Sequence, residues 1–390
     1  MNSADRVHRY PFRCAGNRID PRYAALRRDA GLIRVGLPFG EPSWLAIRHA
    51  EARQVLTDPR FSRAATAGRD IPRVSAEAHA VGLVALDPPQ HTRHRALIAK
   101  AFTPRRAERL RPWIAGLVAE LAAELIAIGP PADLVTSFAN PLTHRAMAEL
   151  IGVPRHDHAR FRHWADVGLS TTTHTPEYQA ELLGQMWDYL TDLIRKPARA
   201  PGTDLISLLA GTQDHAEADL VILVMTVLVA GYEATAAQIG NIWVALLDQP
   251  ELTARLRSAE MAVPAMVEEL LRWIPLEAGP APPRYALEAV ELGGVVVAAG
   301  EPVLVDITSA DRDERVFSSA DRVCPGRTVN PHLAFGHGPH RCIGAPLARV
   351  ILQESVAGLL RALPGLCRAG PVAWRSGALV RGLTALPVSW

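Results

Sequence analysis

The sequence predicts a mainly α protein, one large helical domain over residues 1–390 with small β-sheets near the N-terminus and in the C-terminal third. Three observations carry that expectation. Apolar residues recur at three- and four-residue steps through the middle of the chain; short β-branched runs are confined to residues 32–47 and to the stretch beyond residue 280; and no internal repeat, low-complexity tract or long linker divides the chain.

Taken in order, residues 32–47 (LIRVGLPFGEPSWLAI) form two apolar runs split by Gly, Pro and Glu, the pattern of a hairpin. Over residues 107–128, Leu110, Ile114, Leu117, Val118, Leu121 and Leu125 mark one helix face, which Pro130-Pro131 ends. The same period predicts helices over residues 141–151, 178–194, 204–209, 218–247 and 262–273. The longest of these has a first half, LVILVMTVLVAGYEATAAQIG, so uniformly apolar that it predicts a helix buried on all sides. After residue 280 come VELGGVVV (290–297), whose Gly-Gly pair is a turn signal, then a run at 302–307, then a last helix over 345–363.

Composition narrows the function. Formal charge is +2, from 42 Lys+Arg against 40 Asp+Glu, so the basic excess expected of a nucleic-acid binder is missing. The 390 residues, 48% hydrophobic, suffice to enclose a cofactor. Cys14, Cys324, Cys342 and Cys367 are widely separated, without the spacing of a zinc site or a disulfide framework. The opening MNSADRVHRYPFRC is charged where a signal peptide is apolar, and no run reaches about 18 consecutive apolar residues, so a cytoplasmic protein without a membrane partner is expected.

The most informative segment is FGHGPHRCIGAPLAR, residues 335–349. Glycines at 336, 338 and 344 surround a single cysteine just before a helix begins. Glycines permit tight turns that bring amide groups toward sulfur, and a helix N-terminus favours an anion, so both features suit Cys342 as a thiolate. The stretch matches FxxGxxxCxG in full and resembles the haem-binding loop of the cytochrome P450 family. The resemblance implies that Cys342 is the axial ligand of haem b iron, that Phe335 packs on the sulfur side of the porphyrin and that His340 lies near a propionate. A thiolate opposite dioxygen favours O–O cleavage, so the implied chemistry is oxygenation with dioxygen as co-substrate.

Three further segments are similar to the family's. Glu269 and Arg272 form ExxR on a helix, implied to be a buried structural ion pair held by a loop arginine or histidine. In DPPQHTRHR (87–95), His91 and Arg95 stand at i and i+4 on one helix face, and both, with Arg284, are implied to bind propionates. AGYEAT (230–235) matches the distal helix motif in which an acid and an alcohol relay protons. Glu233 takes the place of the acid, but Ala234 stands where the alcohol belongs, and the hydroxyl of Thr235 is about 100° further round the helix. A polar group of the substrate or an ordered water is expected to complete the path.

Further likeness in LTDPRFSR (56–63), SADRDERVF (309–317) and RGLTALPV (381–388) extends the resemblance over nearly the whole chain and toward the soluble actinomycete-type branch. That branch takes electrons from a ferredoxin, reduced by a ferredoxin reductase using NAD(P)H. No flavin-binding segment is expected after Trp390, and Arg93, Arg105, Arg341 and Arg349 are expected to present a landing patch for an acidic partner. By the same analogy substrate contacts fall on residues 64–84, on Thr226, Val229, Ala230 and Ala234, on Pro280 and Ala281, and on Leu383; the polar segment 170–174 has two equal readings, a lining of the entrance or a solvated loop. Small apolar contacts suit a bulky secondary metabolite. The expected reaction is hydroxylation or epoxidation. The alternatives are oxidative C–C or C–N coupling of an aromatic or indole-type natural product, and a non-catalytic haem-based binder or sensor.

Overall fold

The structure is a computed structural model and describes residues 6–74, 82–168, 175–195, 204–210, 212, 215–376 and 380–390. They gather into two compact units, one from Met1–Thr92, Ser258–Cys342 and Leu379–Arg381, the other from Arg93–Arg257, Ile343–Ala378 and Gly382–Trp390.

The first unit is built on a six-stranded sheet in the order Val7–Arg9, Leu32–Gly36, Ser43–Ala46, Pro302–Val305, Arg284–Ala286, Phe61–Ser62. The hairpin expected at residues 32–47 pairs antiparallel from Leu32 opposite Ala46 to Val35 opposite Ser43. Its strands are apolar on both faces because both faces are covered. Leu32, Trp44, Ala46, Val303 and Val305 join one core with Ala52, Val55 and Leu56 of the helix His49–Thr57; Ile33, Val35, Leu45 and Leu304 join a second with Tyr23 of the helix Arg22–Asp29. Neither helix is marked by periodicity, being eight or nine residues long. The Gly-Gly turn closes the hairpin Val290–Leu292/Val295–Val297, with both glycines at positive φ (+60° and +80°) as a two-residue turn demands. The run at 302–307 ends earlier than expected, because Asp306 caps a short helix, accepting from the Ser309 N–H at 2.7 Å.

The second unit is helical. Pro104–Ile128 starts three residues before its periodic face because Thr103 caps it, accepting from the Arg106 N–H, with Pro104 in the first turn. It packs against Ala345–Ala362 at Gly358, where a Cβ would lie 2.2 Å from a Val118 methyl. The longest helix, Glu217–Leu247, packs on Asn140–Ile151, Pro176–Arg195 and Ala345–Ala362.

That helix is not buried on all sides through its first half, contrary to what its apolarity predicts. Its second half, Ala236–Leu246, is the continuously buried part, whereas in the first half Ile222 is 37% and Val229 45% exposed and Ala230 is exposed. Uniform apolarity identifies a helix kept from water but not which of its faces the protein itself covers. Among the described residues it is the one helix long and apolar enough to cross a membrane, and it serves as the core helix of this unit.

Candidate active site

The cysteine loop owes its shape to two glycines. Cys342 donates its backbone N–H to the Phe335 carbonyl at 2.8 Å, and Gly336 donates to Leu333 at 2.6 Å, closing the loop on itself. Gly336 and Gly338 both have positive φ, +67° and +70°. Gly338 is also constrained from outside, since a Cβ there would sit 2.3 Å from the Leu56 carbonyl oxygen at the end of His49–Thr57. The result presents Cys342 at the surface of its unit, three residues before the helix Ala345–Ala362 begins, with Phe335 half-buried.

Behind the loop, the Glu269–Arg272 pair is wholly buried and bidentate, at 2.9 and 2.7 Å. Every remaining valence is used. Arg272 donates to the carbonyls of Asp311, Ala320 and Arg322; Glu269 accepts from the Cys324 N–H at 2.8 Å, from Arg327 Nε at 3.0 and 3.1 Å, and from the Asn330 amide. Six residues spread from Asp311 to Asn330 are thereby tied to one helix.

The residues expected to meet propionates converge in part. The buried Arg284 and the half-buried His340 cluster with the buried His91, whose ring centroid is 4.1 Å from that of His340, and with the buried Arg63, which no sequence motif marks. The sheet explains Arg63: Phe61 pairs with Ala286 and Ser62 with Tyr285, so the register continued by one residue sets Arg63 beside Arg284. Asp87 partly offsets them, accepting from the Ser62 hydroxyl and from the Arg63 N–H at 2.9 Å.

Burial, with Arg63 next to it, depresses Arg284 to about 9, and burial depresses Arg63 to about 10. Burial and then Arg63, His91 and Arg284 push His340 down to about 3. Arg284 Nε and Nη2, Arg63 Nε and His340 Nε2 are buried without a hydrogen-bond partner among the described residues. Arginine donors so placed are costly unless an anion receives them. Two carboxylates are the chemistry they fit, so this unit suits the propionates of haem, with Cys342 as the thiolate.

In the second unit, Glu233 lies mid-way along Glu217–Leu247 and its Oε1 accepts from Arg375 Nη1. Ala234 and Thr235 follow, half-buried, and Thr226 spends its hydroxyl on the Ile222 carbonyl at 2.7 Å. Leu383 is buried, 3.2 Å from where a Cβ of Gly240 would be. Arg95 is half-buried on Gln90–Ala99, Arg349 is half-buried, and Arg93 and Arg105 are exposed. Arg341, Pro280 and Ala281 belong to the first unit, Arg341 exposed and the other two half-buried. Residues 170–174, and 75–81 of the 64–84 loop, lie outside the described residues.

Comparison with known proteins agrees over the whole length. Residues 195–363 match the family profile described as Cytochrome P450. The chain is 44% identical over 398 residues to the mycinamicin IV hydroxylase/epoxidase of Micromonospora griseorubida, covering all of both chains. It is 45% identical over 380 residues to the nocardicin C N-oxygenase of Nocardia uniformis subsp. tsuyamanensis, covering 95% of this chain and 96% of that one. The solved structure of the mixed-function P450 MycG superposes with a TM-score of 0.95 at 44% identity, over 99% of this chain and 100% of that chain.

Proposed function

The chain belongs to the cytochrome P450 family and is a haem-thiolate monooxygenase that uses haem b and dioxygen, with electrons reaching it from NAD(P)H through redox partners; from that premise we propose a cytoplasmic enzyme of one catalytic domain, residues 1–390, that oxygenates a bulky, largely apolar secondary metabolite with electrons delivered by a ferredoxin. Haem, when bound, supplies an iron that activates dioxygen under the influence of its thiolate ligand. The chain's own residues do the rest. Cys342 would provide that ligand and Phe335 would shield it; Arg63, Arg284, His91 and His340 would hold the propionates, the role the family likeness also gives to Arg95; Glu269 and Arg272 keep the cysteine loop's surroundings rigid. Glu233 receives protons from solvent and passes them onward. With Ala234 supplying no hydroxyl, the next carrier is a polar group of the substrate or a water, and Thr235 faces another side of the helix.

The observation that carries the substrate class is the full-length likeness to enzymes named for mycinamicin IV and nocardicin C. The exposed apolar surface of Val229 and Ala230 supports it, as do the small, half-buried residues Thr226, Pro280 and Ala281. A ferredoxin is supported by exposed arginines on each unit taken by itself, Arg93 and Arg105 on the second and Arg341 on the first.

The test is reconstitution with ferredoxin, ferredoxin reductase and NADPH against a panel of such natural products, read by mass spectrometry. A product heavier by one oxygen is expected, with turnover falling steeply as salt rises. A product that has lost two hydrogens, or a dimer, would replace oxygenation by oxidative coupling, which the alanine at 234 keeps in view. Turnover with NADPH in the absence of both partner proteins would sink the ferredoxin proposal. The relatives' named activities set aside the non-catalytic haem binder.

A further inference from the structure

The acid of the long helix has a partner that no sequence motif announces. From Thr226 to Asn241 the helix carries no charged residue except Glu233, so any charge that orients this carboxylate comes from another element. That element is the C-terminal hairpin, Ala373–Trp374 paired with Leu383–Ala385. Arg375 directly follows its first strand and is fixed by its own N–H, which donates to the Gly382 carbonyl at 2.9 Å.

The hairpin is seated on the helix at two points. A Cβ at Gly382 would be 3.1 Å from that of Ala237, and Leu383 crowds Gly240 in the same way. Ala237 is one turn beyond Glu233, so the seat fixes the guanidinium beside the acid. The side chains of Glu233 and Arg375 are 24% and 37% exposed. The pair therefore keeps access to water while held by protein.

We propose that Arg375 is the positioning residue of the distal acid, holding the Glu233 carboxylate at the hairpin and making that point the solvent end of the proton path. This rests on Glu233 being the acid. Each delivery moves one proton from bulk water to a Glu233 oxygen as the pair opens. That proton passes to the acceptor beyond Ala234, and the carboxylate returns to Arg375 ionised. No other bond forms or breaks. Because the hydroxyl is missing at 234, the orientation of one carboxylate governs this stretch of the path.

The experiment uses the full-length haem-loaded enzyme, with dioxygen as the only acceptor. NADPH oxidation and peroxide release, which consume two protons for two electrons, are measured with ferredoxin and reductase in water and in deuterium oxide. Arg375→Gln should slow the reaction by about tenfold and enlarge the solvent isotope effect, Arg375→Lys should recover most of the loss, and in a Glu233→Gln background Arg375→Gln should change nothing further. Thermal unfolding of the four ferric proteins supplies a readout independent of turnover. Their midpoints should be non-additive, with the coupling shrinking in high salt.

Should Glu233→Gln slow the reaction while Arg375→Gln does not, the positioning role is overturned and the acid survives. An Arg375→Gln effect that persists in the Glu233→Gln background, with additive midpoints, would show that Arg375 merely braces the hairpin. If Glu233→Gln has no effect, both the acid and its positioning residue fail together.

Discussion

Gly336 and Gly338 have nearly the same φ, +67° and +70°, but different surroundings, and alanine at each separates the two contributions to the cysteine loop. An alanine held at positive φ costs about 1–2 kcal/mol, a little offset by the reduced freedom of the unfolded chain. At Gly336 that is the whole effect, because the nearest atoms to a Cβ are 3.9 Å away. At Gly338 the Cβ would be 2.3 Å from a backbone oxygen of Leu56, and an ordinary contact of about 3.4 Å requires the loop and the helix end to separate by about 1.1 Å. Overpacking of that kind adds about 1–3 kcal/mol, so Gly338→Ala should lose about 2–5 kcal/mol in all and displace the cysteine. The assay is haem content per chain, the fraction of reduced protein giving the red-shifted carbon monoxide band of a thiolate complex, and the urea midpoint. Gly336→Ala should keep the band with a modest loss of stability; Gly338→Ala should lose much of both. Equal behaviour of the two variants would refute the argument that the Leu56 contact sets the loop's position.

Cys342→Ser should abolish the thiolate-type spectrum while serine at Cys14, Cys324 or Cys367 preserves it; a normal spectrum without Cys342 would remove the assignment. In the buried network, Arg272→Met should cost about 3–5 kcal/mol by urea unfolding and Arg327→Met less, because Glu269 then keeps Arg272 and the Cys324 N–H. The reverse order would contradict the geometry. Acid stability provides another check. In the haem-free protein, burial and the cations Arg63, His91 and Arg284 hold His340 down to about 3, so the unfolded chain binds the additional proton as pH falls from 6.5 toward 3, and the stability of the haem-free fold drops through that window. His340→Asn should lessen the drop between pH 7 and pH 4, and an unchanged slope would mean that another group titrates.

Much of this was legible because it is local. The long helices announce themselves through periodic apolar residues, the hairpins through their glycine and proline breaks, and the cysteine loop through a motif whose glycines prove to sit at positive φ. What was not legible depends on pairing across the chain. Arg63 gains its meaning from a strand register with residues more than 200 positions away, and Arg375 meets Glu233 across 142 positions. A single arginine in a polar segment carries no local sign of either. The short helices Arg22–Asp29 and His49–Thr57 escape for another reason: each offers only a turn or so of buried face, too little for a period to register.

The six-stranded sheet also dictates an order of events during synthesis. Ser43–Ala46 pairs with Pro302–Val305, and the Ser43 hydroxyl donates to Pro302 across 259 positions. The N-terminal strands therefore leave the ribosome long before their partner exists, with an apolar edge unmatched while the whole middle of the chain is being made. Helices such as Glu217–Leu247 need no such wait, since each closes its own hydrogen bonds locally. The part of the protein that carries Cys342 is thus the later to close, and a nascent chain halted before residue 302 would expose an aggregation-prone edge and still lack the cysteine that anchors the cofactor.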